Sequence, residues 1–530
     1  MNRWGVVAAM LLAVAGALAL RLPHLDARPL HNDEAVNATK VTALWQQGRY
    51  AYDPHEYHGP TLHYFSLPFL WLSGARTPDQ LRDATLRLAP VAFGVGLILL
   101  LVLFLDGLGR RAIVWAGVFT AVSPAMVFYS RYFIHEMLLV FFTALSIGAG
   151  WRFHQTGLTR WAVVAGAGVG LMWATKETFV LAMVAMTAAA VAVLFWKPAS
   201  EATVSLPVST APEDGPASRH QGILKPRHAA LALFSLLVVW ILFFTSFFTN
   251  WHGLADSVLT YLPWLKRAGG HSPHIYPWSF YFERLVWFHP ARSPVWSEAL
   301  ILGLAAVGGC VSLFRRKTPL HRFLTIYTVA LTLIYCVISY KTPWCLLGFY
   351  HGMILLAGVG AAAMLECCAS RALRISLTAL LVVLTTQLAW QAVRASFVYP
   401  ADRRNPYVYA QTAPDYLKLV QTVEGIARVA PERYETVVKV VMPGNDYWPL
   451  PWHLRRFQNV GWYEQLPADA LSPVLIVSSK YNARLDEKSE RKWILAAIHE
   501  LRPQVFLELY VELELWKQYV ATLPRESEEP

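Results

Sequence analysis

Eleven apolar runs, each close to the length that crosses a hydrocarbon core, constrain this chain more than any other feature. They lie near residues 4–22, 86–106, 112–130, 137–153, 161–175, 178–196, 229–249, 297–314, 322–339, 344–365 and 374–391. Only 15% of the 530 residues are charged and 55% are hydrophobic. Soluble domains average roughly 25% charged, so a water-soluble globule is excluded and a polytopic α-helical membrane protein is predicted. The 21 Trp and 23 Tyr suit interfacial belts, where one end of the ring stays wet. The net charge of +11 does not point to nucleic acid, because much of the excess falls in short loops between apolar runs. The first run, Trp4 to Leu20, exceeds the usual h-region of about 7–15 residues and reads as a retained helix, not a cleaved signal. Cys310, Cys336, Cys345, Cys367 and Cys368 all lie in or beside apolar runs without zinc or redox spacing, and read as buried structural thiols.

The segment 60–74 is apolar but short, and charge decides its place. If it does not span and the N-terminus is cytoplasmic, the basic loops fall inside: Arg110-Arg111, Arg152 with Arg160, Lys197 with Lys225 and Arg227, Arg315-Arg316-Lys317, and Arg371 with Arg374. If it spanned, every later loop would flip and the positive-inside rule would fail throughout. Eleven spans are therefore expected in an inner cell membrane, with 60–74 lying along the interface. Residues 198–228, rich in Pro, Ser, Ala and Glu, read as a disordered cytoplasmic linker. Residues 250–295 form a long external loop. Residues 1–395 are thus a transmembrane domain and 400–530 a small extracytoplasmic α/β domain, with helices over Pro414–Ala427 and Arg491–Leu501 and strands over Thr436–Met442, Val474–Ser478 and Gln504–Leu515. No glycine-rich phosphate loop and no internal repeat is present.

This topology collects ionisable residues on the outer face. Asp33 and Glu34 lie in the first loop, Arg131, His135 and Glu136 in the second, and Lys176 and Glu177 in the third. The fourth holds His252, Asp256, Lys266, Arg267, His271, His274, Glu283 and Arg284, and Lys341 lies in the fifth. Charge at the hydrocarbon boundary is costly and usually marks a polar cavity or pathway. Long cationic side chains also snorkel to headgroups, but short acids such as Glu136 and Glu177 cannot reach far. Acids can take a proton or hold a metal, and Lys and Arg clamp phosphate. Beside an apolar groove, that set suits transfer of a group carried on a lipid phosphate. It also suits a transporter, where intramembrane acids bind ions.

The motifs narrow this. His31-Asn-Asp-Glu-Ala-Val, Gly48-Arg-Tyr-Ala-Tyr-Asp-Pro and Tyr57-His-Gly-Pro-Thr-Leu resemble the first-loop signature of the dolichyl-phosphate-mannose protein mannosyltransferase superfamily, the GT-C glycosyltransferases. Arg87-Leu-Ala-Pro and Ser130-Arg-Tyr with Glu136 resemble its next landmarks, and the likeness covers roughly residues 1–365. Tyr340-Lys-Thr-Pro-Trp and Asn405-Pro-Tyr-Val-Tyr are similar to a subgroup, the flippase-activity-associated proteins. The resemblance implies a helical bundle with two juxtamembrane helices in the first external loop and a polyprenyl-phosphate sugar donor. It implies that Asp33 is the general base, with Glu34 beside it, and that Glu136 is a second acid shaping the site. Lys341 matches a basic residue near the donor phosphate, and Arg131, His58 and Lys176 are further phosphate candidates. His58 stands in His-Gly-Pro, where relatives often carry Lys-Pro-Pro or His-Pro-Pro. Some relatives need a divalent cation, Mg or Mn, and others do not; Asp33 and Glu34 are the candidate ligands. The acceptor is a lipid, a glycan or a protein. The rival expectation is a polyprenyl-lipid flippase accessory without catalysis.

Overall fold

The computed structural model describes residues 2–55, 58–196, 224–268, 274–314 and 318–524. Of the predicted linker 198–228, residues 198–223 lie outside them. Seven described helices are long and apolar enough to cross a membrane, or eight if the bent pair Arg110–Val122 and Pro124–Ser130 is one span. The predicted runs near 161–175, 178–196 and 297–314 also form helices, but shorter ones: Thr159–Trp173, Phe179–Phe195 and Ala299–Phe314, of 15, 17 and 16 residues. The first two stop early because the polar turn Thr175-Lys176-Glu177 separates them. This is an integral membrane protein.

Helices α1 (Arg3–Arg21), α2 (Asn32–Gln47), α3 (Thr61–Leu72) and α4 (Asp83–Leu100) open the chain. At 1.5 Å per residue, the 12 residues of α3 reach about 18 Å, too short for a hydrocarbon core of about 30 Å. Two helices therefore lie between the first two spans, as the resemblance implies.

Contacts divide the chain into two compact units. The first comprises Met1–Pro23, Arg49–Phe65 and Ala89–Ser396. Its centre is the helix Leu347–Glu366, buried on nearly every side. It packs on Ala299–Phe314 at backbone distance: a Cβ on Gly308 would stand 1.9 Å from the Leu356 carbonyl oxygen, and one on Gly360 2.1 Å from that of Leu304. Small residues let helices approach this closely where no hydrophobic effect drives them together. The 58° bend at Ser123 is pinned by a fully buried carboxylate. Glu298 accepts from Ser123 Oγ (2.6 Å), the Ala125 amide (3.0 Å) and Tyr350 Oη (2.6 Å). At the periphery, α1, Pro226–Phe244 and Arg371–Val398 bury under a fifth of their spanning windows and present Leu and Val to the bilayer. All five cysteines are free; Cys336 and Cys368 are buried, but Cys310 and Cys367 are exposed, so those two are not the core thiols expected.

The second unit comprises His24–Gly48, Ser66–Leu88 and Phe397–Pro530. Its five strands are β1 (Val438–Val441), β2 (Val460–Tyr463), β3 (Val474–Ser478), β4 (Trp493–Arg502) and β5 (Val505–Glu512), in the order β2-β1-β3-β5-β4. β1 is parallel to β2 and β3, while β5 is antiparallel to β3 and β4. β1 and β3 are buried along their whole length, as the β-branched runs require. The helix Tyr416–Val429 covers one face with Leu419, Val423 and Ile426. The predicted helix over Arg491–Leu501 is instead β4. Leu, Ala and Glu there favour helix, but the Pro503-Gln504 turn folds the segment back on β5, and pairing overrides propensity. The aromatic stretch 445–452 sends Trp452 inward: its Nε1 donates to Asp83 (2.8 Å), and Arg455 donates to the Pro78 and Leu81 carbonyls.

Candidate active site

In the second unit, Asp33 and Glu34 occupy the first turn of α2, where backbone N–H groups favour negative charge. His31 caps the helix. Its Nδ1 accepts from the Asp33 amide (3.1 Å), and Glu34 Oε2 accepts from the His31 amide (3.0 Å), a reciprocal capping box. The two acids then part company. The Glu34 side chain is 0% exposed. Arg87 grips it as a fork, Nε to Oε1 at 2.7 Å and Nη2 to Oε2 at 2.8 Å, and Arg28 Nη2 lies within 3.2 Å of both oxygens. Burial alone would push this carboxyl up, but Arg87 and Arg28 override it and hold it at about 2. Arg87 also binds the carbonyls of Leu25 (2.5 Å) and Arg28 (3.0 Å), so one guanidinium fixes both the acid and the loop before it. Asp33, by contrast, has a side chain 45% exposed. Among the described residues only His31 comes within ion-pair distance, at 3.8 Å, through the nitrogen already accepting from the Asp33 amide.

In the first unit, a second cluster forms where residues 58–61 run against the turn 174–178. The Gly59 amide donates to the Thr175 carbonyl and the Thr61 amide to that of Ala174, each at 3.0 Å. A Cβ on Gly59 would stand 2.2 Å from the Ala174 oxygen, and a proline there would lack the N–H. The His-Gly-Pro run is therefore what this backbone pairing demands. The pairing seats His58 Nδ1 2.7 Å from Glu177 Oε2, while Tyr52 Oη donates to Oε1 at 3.1 Å. The Glu177 side chain is 6% exposed and that of His58 41%, so a buried carboxylate backs an accessible imidazole. Burial would raise the Glu177 carboxyl, but His58 outweighs it and holds it below the usual range. The neighbouring Lys176 forms a buried ion pair with Glu136. Burial would lower this ammonium, and Glu136 overrides that and raises it. His135, whose Nε2 lies 3.0 Å from the Gly59 carbonyl, is pushed well down by burial and by nearby His58, His63 and Lys176.

The other phosphate candidates are spent on helix ends. Arg131 Nη1 donates to the carbonyls of Arg21 (2.8 Å), the last residue of α1, and Pro23 (2.7 Å), just beyond it. Lys341 is fully buried, and its Nζ binds the carbonyls of Cys336 (3.0 Å) and Ile338 at the end of Pro319–Val337. Both are favourable placements for cations at helix C-termini. In the fourth loop, Arg284 stacks over Phe280 at 3.5 Å and Glu283 accepts from Ser279; His271 and the side chains of Lys266 and Arg267 lie outside the described residues. Sequence reasoning missed Arg28, and it gave Tyr52 and Arg87 no role beyond their places in the motifs. The His31-x-x-Glu34 spacing was the available signal that Glu34 has a capping role.

As ligands for Mg or Mn, the adjacent acids do not fit together. Both Glu34 oxygens are taken by guanidinium groups, which leaves Asp33 as a lone carboxylate where hard cations gather several oxygens.

Residues 58–252 match the family described as dolichyl-phosphate-mannose-protein mannosyltransferase. No curated protein matches the chain. Among solved structures, ArnT from Cupriavidus metallidurans bound to undecaprenyl phosphate is similar at TM-score 0.61 and 14% identity, over 96% of this chain and 98% of that one. The apo state of the same protein gives 0.55 and 16%, over 94% and 97%. The archaeal oligosaccharyltransferase AglB from Archaeoglobus fulgidus, in complex with an inhibitory peptide and a dolichol-phosphate, gives 0.52 and 11%, over 91% and 70%. Both neighbours are GT-C glycosyltransferases. The chain therefore has the GT-C fold, and the stretch that holds His58, Arg131, Glu136 and Lys176 carries the dolichyl-phosphate-mannose-protein mannosyltransferase match.

Proposed function

We propose that this protein is an inverting glycosyltransferase that moves a sugar from a polyprenyl-phosphate donor to an acceptor hydroxyl outside the cytoplasm, with Asp33 as general base. The observation that carries this reading is the division of labour within one acidic pair. Glu34 is fully committed to two arginines, and Asp33 is left half-exposed on the next residue of the same turn. The family match and the lipid phosphates bound by the structural neighbours support the donor class.

The chemistry asks little of the leaving group. The acceptor oxygen attacks the anomeric carbon on the face opposite the phosphate, the carbon–oxygen bond to phosphate breaks, and the acceptor proton passes to Asp33. A carboxylate within hydrogen-bond reach suffices for that transfer. The departing polyprenyl phosphate gains one negative charge, which calls for cations. In this reading His58, with Glu177 behind it, is the accessible group that meets the phosphate, while Lys176, Arg131 and Lys341 are committed to buried partners. Glu136 keeps Lys176 charged. Glu34 serves as a strut rather than a proton carrier. The acceptor is a lipid, glycan or protein hydroxyl. A cavity of about 530 Å³ in the second unit, lined in part by Arg403 and Glu500, offers charged groups suited to its hydroxyl groups.

The test is release of polyprenyl phosphate from a panel of polyprenyl-phosphate sugars, with wild-type protein or Asp33→Asn. A loss of ~100-fold or more in the variant is expected for removal of a general base. Equal release by the two proteins would sink the assignment and favour a lipid-handling accessory.

A further inference from the structure

The loop that carries Asp33 is held from two sides, and only one of them is Arg87. Residues 398–413 form a strap that leads into the C-terminal sheet domain. It is braced by hydrogen bonds of its own. Asn405 is 1% exposed; its Oδ1 accepts from the Tyr407 amide and its Nδ2 donates to the Tyr399 carbonyl, each at 3.0 Å. Arg404 forks onto Asp402 at 2.5–3.0 Å. The far end is tied to β4, where the Ala413 amide donates to the Leu501 carbonyl at 2.9 Å. Between these anchors stand Gln411 and Thr412, each 2% exposed. Gln411 Nε2 donates to the Pro29 carbonyl at 2.9 Å, and Thr412 Oγ1 to the Leu30 carbonyl at 2.7 Å.

Those two carbonyls immediately precede His31, the cap of α2, and so lie three and four residues before Asp33. Together with Arg87 on Leu25 and Arg28, the carbonyls of 25, 28, 29 and 30 are all engaged by side chains far away in sequence. Buried carbonyls take partners as a rule; what is particular here is that two of those partners come from the strap of the C-terminal domain. Resting on the assignment of Asp33 as base, we propose that Gln411 and Thr412 are positioning residues, through which the C-terminal domain sets the register of the catalytic carboxylate. The Asn405-Pro-Tyr-Val-Tyr motif then serves to stiffen the strap that carries them.

The test uses the full chain in nanodiscs. Thr412→Val keeps shape and removes the donor; Gln411→Glu turns a donor into an acceptor facing a carbonyl; Thr412→Ser keeps the hydroxyl. Two readouts are taken on each: hydrogen exchange of the peptide spanning 25–34, and kcat and KM for a polyprenyl-phosphate sugar. The first two variants should speed exchange across 25–34 by about 10-fold. They should lower kcat by about 10- to 100-fold, with donor KM within about twofold, because a small misplacement of a reacting group acts on the chemical step. Thr412→Ser should restore both readouts. If Gln411→Glu fails to fold, the isosteric Thr412→Val decides alone. Wild-type exchange and wild-type kcat in Thr412→Val overturn the inference. Asp33→Asn is run alongside. If it turns over like wild type, the base assignment falls; if it is inactive while the strap variants are normal, the strap inference alone falls.

Discussion

Asp33 and Glu34 differ in one respect that decides their chemistry: what lies within 3.2 Å of each carboxylate. Removing the charge at 34 leaves Arg28 and Arg87 buried without an anion. Glu34→Gln is therefore expected to cost about 3–5 kcal/mol, typical of breaking one side of a buried ion pair, read as a fall in melting temperature. Asp33→Asn should stay within ~0.5 kcal/mol of wild type while lowering transfer by ~100-fold or more, since its side chain is half-exposed and makes no strong contact among the described residues. The acid side carries a sign. The Glu34 carboxyl is depressed from 4.5 to about 2, so its stabilisation is full above 4.5 and lost as pH falls towards 2. The gap in melting temperature between wild type and Glu34→Gln should narrow across that window; a constant gap would refute the coupling. The adjacent acids were legible in the sequence. Their division of labour was not, because it is set by Arg87, 53 residues away.

Among the elements, the turn 174–178 shows how backbone pairing places side chains. It holds Lys176 on Glu136 and Glu177 on His58 because residues 58–61 are stitched to it by amide bonds that need Gly59. Gly59→Ala should therefore destabilise by about 1–3 kcal/mol, as overpacking does, and lower transfer. Gly150→Ala, in the interior of Glu136–Thr156 with nothing within 4 Å of the new Cβ, should be neutral or gain up to about 1 kcal/mol. Matched melting curves of the two variants check this, and equal behaviour would count against the close approach at Gly59. Period and length made the membrane helices readable from composition alone. β4 was not readable: Trp493 to Arg502 has helix-forming residues, and its strand state comes from pairing with β5. Likewise the link from Gln411 to Pro29 bridges 382 residues and leaves no local trace.

At the scale of the whole molecule, the distribution of basic loops predicts which segments lie on each side. With exposed Cys310 and Cys367 replaced, an impermeant maleimide applied to intact cells should label Glu487→Cys in the C-terminal domain, and should label Arg110→Cys only after permeabilisation. The reverse pattern would invert the topology and move Asp33 to the cytoplasmic side. The short helix Phe179–Phe195 carries a further consequence. Its 17 residues cover about 25 Å, against about 30 Å of hydrocarbon, and it leaves Val184, Leu194 and Phe195 exposed, as a lipid-facing surface would be. Acyl chains alongside it must shorten or tilt, at a fraction of a kcal/mol per ångström of mismatch. In a membrane of mixed chain lengths, the shorter phospholipids will therefore gather along that flank, giving the protein an annulus thinner than the bilayer around it.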